Sequence, residues 1–391
     1  MKKRPLNRAL AAVLCLAIVF SMLMLSACAS KKDSETIKIG AIDPLTGNNA
    51  ALGRESLNGK KMAIDDINAA GGVLGKQLEL VSEDDEGKAA SSTTAATKLI
   101  TKDDVVAIAG PHNSSCTLAA MEAYEEYKVP GMTPGASSVY VTTSGNDWIS
   151  RCIPDDDAQP QILVKYAKDE YGVKKLGLLY SNEDYGIGGF EYVQIACEKF
   201  GVELKAEAFN LDDTDMSTQI SNLKNADCDA VLIWTTYSAG ALLCKQIREL
   251  GWDCQLFASP GLNNPPVFDI SNNAVDGMIL TSGFYAQDPD SYVSEWVARY
   301  RELYGEDPSQ TSANAYDTIR IIAAAIERAG STDHEAVAKE IRKTADFQSL
   351  KGIMSINAET GNYIGKIRLV QCNAQNQSFD YIAEYYSSEL E

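Results

Sequence analysis

The chain has 391 residues, with 35 Lys and Arg against 54 Asp and Glu and a formal charge of −19. At 45% hydrophobic and 23% charged residues the composition is globular, and the length suggests roughly two to three domains of ~150 residues. This acidity excludes a basic groove for phosphate backbones, so no nucleic acid is expected as a partner.

The cations are unevenly spread. Lys2, Lys3, Arg4 and Arg8 precede an apolar run from Ala9 to Leu25, which passes into Ser26-Ala27-Cys28 and a polar stretch. A basic head, a short apolar core and a small-residue cleavage site describe a secretory signal. Residues 1–27 are therefore expected to be a signal peptide and residues 28–35 a tether. Loss of the four leader cations takes the formal charge from −19 to −23. Leu25-Ser26-Ala27-Cys28 resembles the lipobox of bacterial lipoproteins, which implies diacylglycerol on Cys28. A lipid there would hold a soluble body at the extracytoplasmic face of the cell membrane without spanning it.

Beyond the tether, strand-like and helix-like segments alternate. Thr36 to Ile42 reads as a strand, broken by Pro44-Leu45-Thr46-Gly47. A helix follows with Leu57, Met62, Ala63, Ile64 and Ile67 on one stripe, ended by Gly71-Gly72. Next come a strand at Gln77 to Val81, a helix at Ala89 to Ile100, a buried strand at Val105 to Ala109, a helix near Ser115 to Tyr127 and a strand near Val129. This order predicts a parallel sheet with helices on both faces. A second alternation starts after Arg151-Cys152-Ile153-Pro154-Asp155. Its strands are expected at Lys175 to Tyr180, Val202 to Phe209, Ala230 to Trp234, Gln255 to Ala258 and Gly277 to Leu280, with a helix from Tyr185 to Phe200 among those between. Two long helices follow, from Ser291 through Tyr304 and from Ser312 to Arg328. From Lys351 onward the pattern is hairpin-like, turning at Ala358-Glu359-Thr360-Gly361. The fold class is α/β: two doubly wound lobes in contact.

The catalytic inventory is thin. No GxSxG elbow and no GxxxxGK[ST] loop occurs, and Gly186-Ile187-Gly188-Gly189, which lacks the third glycine of a dinucleotide fingerprint, reads as a turn. His112 and His334 leave little scope for base chemistry or zinc, so no enzyme activity, cofactor or metal is expected. His112 reads more readily as a satisfied loop histidine than as a functional one. Seven cysteines remain after Cys15 and Cys28; an odd number leaves at least one unpaired, and Cys228 with Cys254 is the pair that could bridge.

Hydroxyl and small residues gather at strand-to-helix turns. Gly110-Pro111-His112-Asn113-Ser114-Ser115 follows a buried strand and opens a helix, whose free N–H groups and positive dipole end suit a carboxylate. Asn113 or Ser114 would also serve as an N-cap. Thr133-Pro134-Gly135-Ala136-Ser137-Ser138 follows the next strand, and open α/β folds place ligands at this edge of the sheet.

At these residues the chain resembles bacterial leucine/isoleucine/valine-type solute-binding proteins, the type I periplasmic binding proteins of ABC importers, from about Thr36 to near Gly361. The resemblance rests on Ile39-Gly40 through Pro44-Leu45-Thr46-Gly47, on Asp66-Ile67-Asn68-Ala69-Ala70-Gly71-Gly72-Val73-Leu74-Gly75, on Gly110 to Ser115, Thr133-Pro134 and Tyr185-Gly186, and on Ala315-Tyr316-Asp317. It implies two Rossmann-like lobes in a Venus-flytrap arrangement, joined by three crossovers placed near Asp155, Tyr285 and Met354. Lobe 1 would comprise 36–155 plus 286–353, and lobe 2 would comprise 156–285 plus 354–391.

The resemblance further implies that Ser114, Gly135 and Ser137, with Asn113 beside them, hold a ligand carboxylate, and that Tyr185 and Tyr237 close over the ligand from the second lobe. A family aromatic is replaced by Leu52, and the acid that pairs with the ligand's ammonium is replaced within Ala258-Ser259-Pro260-Gly261. A buried ammonium needs a partner, and Asp43, Glu183, Asp184 and Asp317 are the acids considered. The implied function is capture of a small-molecule amino acid, branched-chain or related, by a monomer that delivers it to ABC permease and ATPase subunits. The alternative is a ligand-sensing protein for an amide or amino-acid-like solute. Transport ranks first, since no transmembrane or signalling segment is read after the lobes.

Overall fold

The computed structural model of the protein describes residues 36–387; the expected leader and tether, and Cys28 as the expected lipid acceptor, lie outside these residues. The first half builds a five-stranded sheet from β1 (Ile37–Asp43), β2 (Leu78–Asp84), β3 (Ala107–Ala109), β4 (Gly131–Thr133) and β5 (Ile149–Arg151), all parallel, in the order β2-β1-β3-β4-β5. Its crossovers are α1 (Ala50–Ala69), α2 (Ala89–Thr101), α3 (Ser114–Tyr127) and the single turn α4 (Tyr140–Thr143). Parallel strands joined this way are covered on both faces, and Ile39, Ala41, Ile42, Ala107, Ile108 and Ala109 are all fully buried.

The second half repeats the scheme. A seven-stranded sheet contains β6 (Lys175–Ser181), β7 (Glu203–Phe209), β8 (Ala230–Trp234), β9 (Gln255–Ala258) and β10 (Ile279–Ser282), ordered β7-β6-β8-β9-β10 and extended by two antiparallel strands, β14 (Lys366–Asn373) and β15 (Ser378–Tyr386). Its helices include α5 (Ala158–Tyr171), α6 (Asp184–Phe200), α7 (Ser217–Asn225), α8 (Tyr237–Glu249) and the short α9 (Val267–Ile270). The chain then returns to the first sheet through α10 (Ser291–Tyr304), α11 (Gln310–Ala329) and α12 (His334–Arg342). Trp296, Tyr300, Ile319, Ile322 and Ile341 from these helices share a core with Ile37, Ile39 and Met62. A small antiparallel sheet of β11 (Phe347–Ser349), β12 (Gly352–Ile356) and β13 (Tyr363–Ile364) joins the same core.

That small sheet moves one expected boundary. Met354 pairs with Phe347 inside β12 and is buried with the first sheet, so it is no crossover. After β13 the chain returns to the seven-stranded sheet at Lys366, so its third passage between the sheets falls between Ile364 and Lys366. Lys351 stands where the three crossing segments meet. Its ammonium lies 3.0 Å from Asp317 and 3.4 Å from the Cys152 sulfur, both buried. A Cβ on Gly283 would sit 3.1 Å from its Cδ, and Arg368 donates to the carbonyls of Gly283 and Lys351.

Two further expectations change. Gly186-Ile187-Gly188-Gly189 lies inside α6 rather than in a turn: a Cβ at Gly186 would stand 1.9 Å from the Ser181 carbonyl, and one at Gly189 would stand 2.1 Å from the Trp234 indole. The glycines let the helix approach the sheet. The bridge considered between Cys228 and Cys254 does not form. All seven cysteines of the described residues are free and buried, and in the β8/β9 pairing Ala230 faces Gln255, which sets these two thiols one position out of step.

Candidate functional site

Both sheets follow the doubly wound order in which the first strand lies between the second and the third, so each has a switch point where successive crossovers leave on opposite faces. In the first sheet that point lies between β1 and β3; in the second it lies between β6 and β8. The loops from both open on one cavity of about 150 Å³. Asn113, Ser114 and Ser115 line it from the start of α3, Gly135 and Ser137 from the turn after β4, and Glu183 and Tyr185 from the start of α6. Thr236 at the start of α8, Pro260 and Gly261 after β9, and Gln310, Thr311 and Asn314 on α11 complete the polar part, while Leu52, Ile153 and Leu211 add apolar surface.

The first turn of α3 is left open. Asn113 stands at the N-cap with an extended backbone, yet its side chain caps nothing and its Oδ1 has no hydrogen-bond partner. The orphan N–H groups of a 14-residue helix are therefore uncovered at the cavity. Thr236, at the N-cap of α8, makes no capping bond either. Two helix N-termini, one from each sheet, thus present positive dipole ends to the same space. Ser114 Oγ accepts from the Ser138 N–H at 3.3 Å, tying α3 to the second turn. That turn is held from beneath by Arg151, whose guanidinium donates to the carbonyls of Ala136, Ser137 and Ser138 at 2.8 to 3.2 Å. Gly135 is required there, because a Cβ would meet the His112 ring at 2.4 Å. Burial, with Lys60 nearby, pushes the His112 pKa down to about 3. It is a neutral imidazole lining the cavity with Nδ1 unpartnered, not a satisfied loop histidine.

Tyr185 is buried, and its hydroxyl accepts from the Gly261 N–H at 3.3 Å. Its neighbour Glu183 caps α6. One carboxylate oxygen accepts from Gly186 N–H at 3.0 Å and Ser181 Oγ at 2.8 Å; the other accepts from Tyr185 N–H at 2.9 Å and Ser115 Oγ at 2.7 Å. The Ser115 bond runs from the first sheet's side of the cavity to the second's. Gln310 does likewise, donating to the Pro260 carbonyl at 2.7 Å.

Of the residues expected at the site, Asn113, Ser114, Gly135, Ser137 and Tyr185 are brought together here. Tyr237 is not among the lining residues; its hydroxyl donates to the Asn48 carbonyl at 3.1 Å, so it braces the loop before α1. Of the four acids, only Glu183 lines the cavity. Asp43 lies beneath the first sheet's edge with both oxygens 2.7 Å from the buried Lys60 ammonium. Asp317 accepts from Lys351, Arg320 and the Leu350 N–H. Asp184 is exposed on α6. Gln310, Thr311, Asn314 and Thr236 were not singled out from the sequence. Thr236 immediately precedes an expected site residue at a strand-to-helix turn and was within reach of that signal; the α11 residues carried no local one.

The chain is similar to known proteins along most of its length. A family model described as a periplasmic binding protein matches residues 36–377. The leucine-, isoleucine-, valine-, threonine-, and alanine-binding protein of Pseudomonas aeruginosa is 32% identical over 314 residues, 79% of this chain and 83% of its own. Leucine binding protein LivK of Thermotoga maritima superposes with a TM-score of 0.85 at 31% identity, covering 90% of this chain and 100% of that one. The branched-chain amino acid transporter substrate binding protein LivJ of Streptococcus pneumoniae, in complex with isoleucine, gives 0.83 at 28% identity, covering 90% and 99%.

Proposed function

The chain belongs to the periplasmic binding protein family, and from that premise we propose that it is the extracytoplasmic solute-binding component of an ABC importer, capturing an amino acid by closure of its two lobes. The carrying observation is the cavity: two uncapped helix N-termini from opposite sheets, with the Ser114 and Ser137 hydroxyls, converge on a space of about 150 Å³. A carboxylate placed there takes unused N–H groups and both dipole ends. Glu183 supplies the negative charge for the amino group. The volume suits a small solute, since a cavity of about 150 Å³ accommodates benzene. The ligands in the names of its relatives, leucine, isoleucine, valine, threonine and alanine, support the same class.

Capture follows from the bonds that cross the cavity. Ser115 to Glu183 and Gln310 to Pro260 can form only when the two sides are together, so a ligand contacting both sides shifts the population toward that state. Hinge closure of periplasmic binding proteins is a general instance of this behaviour. The closed monomer, held at the membrane by lipid on Cys28, then presents its rims to the permease, which passes the solute inward using ATP hydrolysed by other subunits. Its work is binding, without catalysis. Calorimetric titration of the mature protein with the twenty amino acids tests this: saturable binding of at least one is expected, and binding of none overturns the assignment.

A further inference from the structure

Asn314 lines the cavity from the second turn of α11, is about 1% exposed, and has neither amide atom hydrogen bonded: Oδ1 and Nδ2 are both without a partner. One turn earlier on the same helix face, Gln310 shows what a structural amide does here. Its Nε2 donates to Pro260 O at 2.7 Å and its Oε1 accepts from Gly283 N–H at 3.2 Å. Asn314 performs no such service. A buried carboxamide with both dipoles unmatched loses the full desolvation cost of a donor and an acceptor, and an aliphatic residue would fill the same place without that loss. Asn113 Oδ1, which also lines the cavity, is unpartnered as well.

These atoms are not needed for the groups every amino acid shares. On the function proposed above, the carboxylate goes to the first turn of α3 and the amino group to the charge of Glu183. What remains for Asn314 is the ligand's side chain. We infer that the preferred ligand carries a neutral polar side-chain group offering both a donor and an acceptor, a carboxamide or a hydroxyl, and that Asn314 is the residue that selects it. A hydrocarbon side chain leaves both amide atoms unmatched in the closed state. A carboxamide or hydroxyl pairs with them and gains in proportion, because a site built around hydrogen bonds discriminates strongly against an analogue that lacks them.

Isosteric ligand pairs isolate this term, since asparagine and leucine, or threonine and valine, differ in polarity at nearly constant shape. Calorimetry on the mature wild-type protein is expected to give asparagine or threonine an affinity at least roughly tenfold above its apolar isostere. Asn314→Leu is expected to reverse or abolish that ratio, with a thermal melt establishing that the variant is folded. Equal or tighter binding of leucine and valine by the wild-type protein overturns this inference and leaves the amino-acid function standing. An unchanged ratio in folded Asn314→Leu overturns the role of Asn314. Binding of none of the four overturns this inference; binding of none of the twenty removes the amino-acid assignment with it.

Discussion

Glu55 offers the sharpest test of the buried electrostatics. It lies on α1, and its Oε2 accepts from Asn264 Nδ2 at 2.9 Å and from Ser309 Oγ, which come from the loop after β9 and the N-cap of α11. Burial raises its pKa from 4.5 to about 7; the Glu306 charge adds to this, while the Ser309 and Asn264 hydrogen bonds and Arg54 oppose it. The folded chain therefore holds a proton that the unfolded chain releases. This contribution is intact below 4.5 and is lost as pH rises through about 7. The gap corresponds to about 3 kcal/mol of stability between the two limits. Glu55→Gln retains an acceptor oxygen but cannot titrate. Urea unfolding of both proteins from pH 4 to pH 8 should show the variant gaining about 3 kcal/mol on the wild type across the range. Asp85 and Asp156, raised by burial to about 6 and about 8, titrate in both proteins and cancel in the difference. Parallel curves would refute the burial argument.

Other consequences are more local. Ser114→Ala and Tyr185→Ala should each weaken ligand binding by ~1–3 kcal/mol through lost hydrogen bonds or packing in a desolvated site; unchanged calorimetric affinity in both would displace the cleft assignment. Gly135→Ala drives a Cβ to 2.4 Å from the His112 ring and should cost about 1–3 kcal/mol in denaturant unfolding. Lys351→Met leaves buried Asp317 with Arg320 at 3.3 Å as its remaining cation and should cost up to about 3–5 kcal/mol by the same measurement. Tyr237→Phe loses the hydroxyl's bonds to the backbone of Asn48 and Ala51, about 1 kcal/mol each, and its effect should appear in stability rather than in a direct ligand contact.

Where the sequence was legible, the pattern was local. β8 and β9 occupy the residues expected for them, because a continuous apolar run such as Ala230 to Trp234 is what a strand covered on both faces requires. α3 and its turn were readable for the same reason: a buried strand, a Gly-Pro break and hydroxyl residues follow within a few positions. β5 was missed because three residues carry no periodicity, and α12 because it buries only Val337 and Ile341.

The opening charge count identified an acidic, globular chain, and the alternation beyond it determined two α/β halves with their ligand-facing turns. It could not decide which acids were free to meet a ligand. Asp43 and Asp317 are taken by Lys60 and Lys351, 17 and 34 positions away, and no short-range pattern announces such pairs. Nor could it reveal Asn314, an unremarkable polar residue on a helix until the fold carries that helix back across the chain to the cavity. Hydrophobic period and turn chemistry act over a few residues, so they are written in sequence. Desolvation and hydrogen-bond saturation depend on what distant segments bring to a point, and only the tertiary structure settles them.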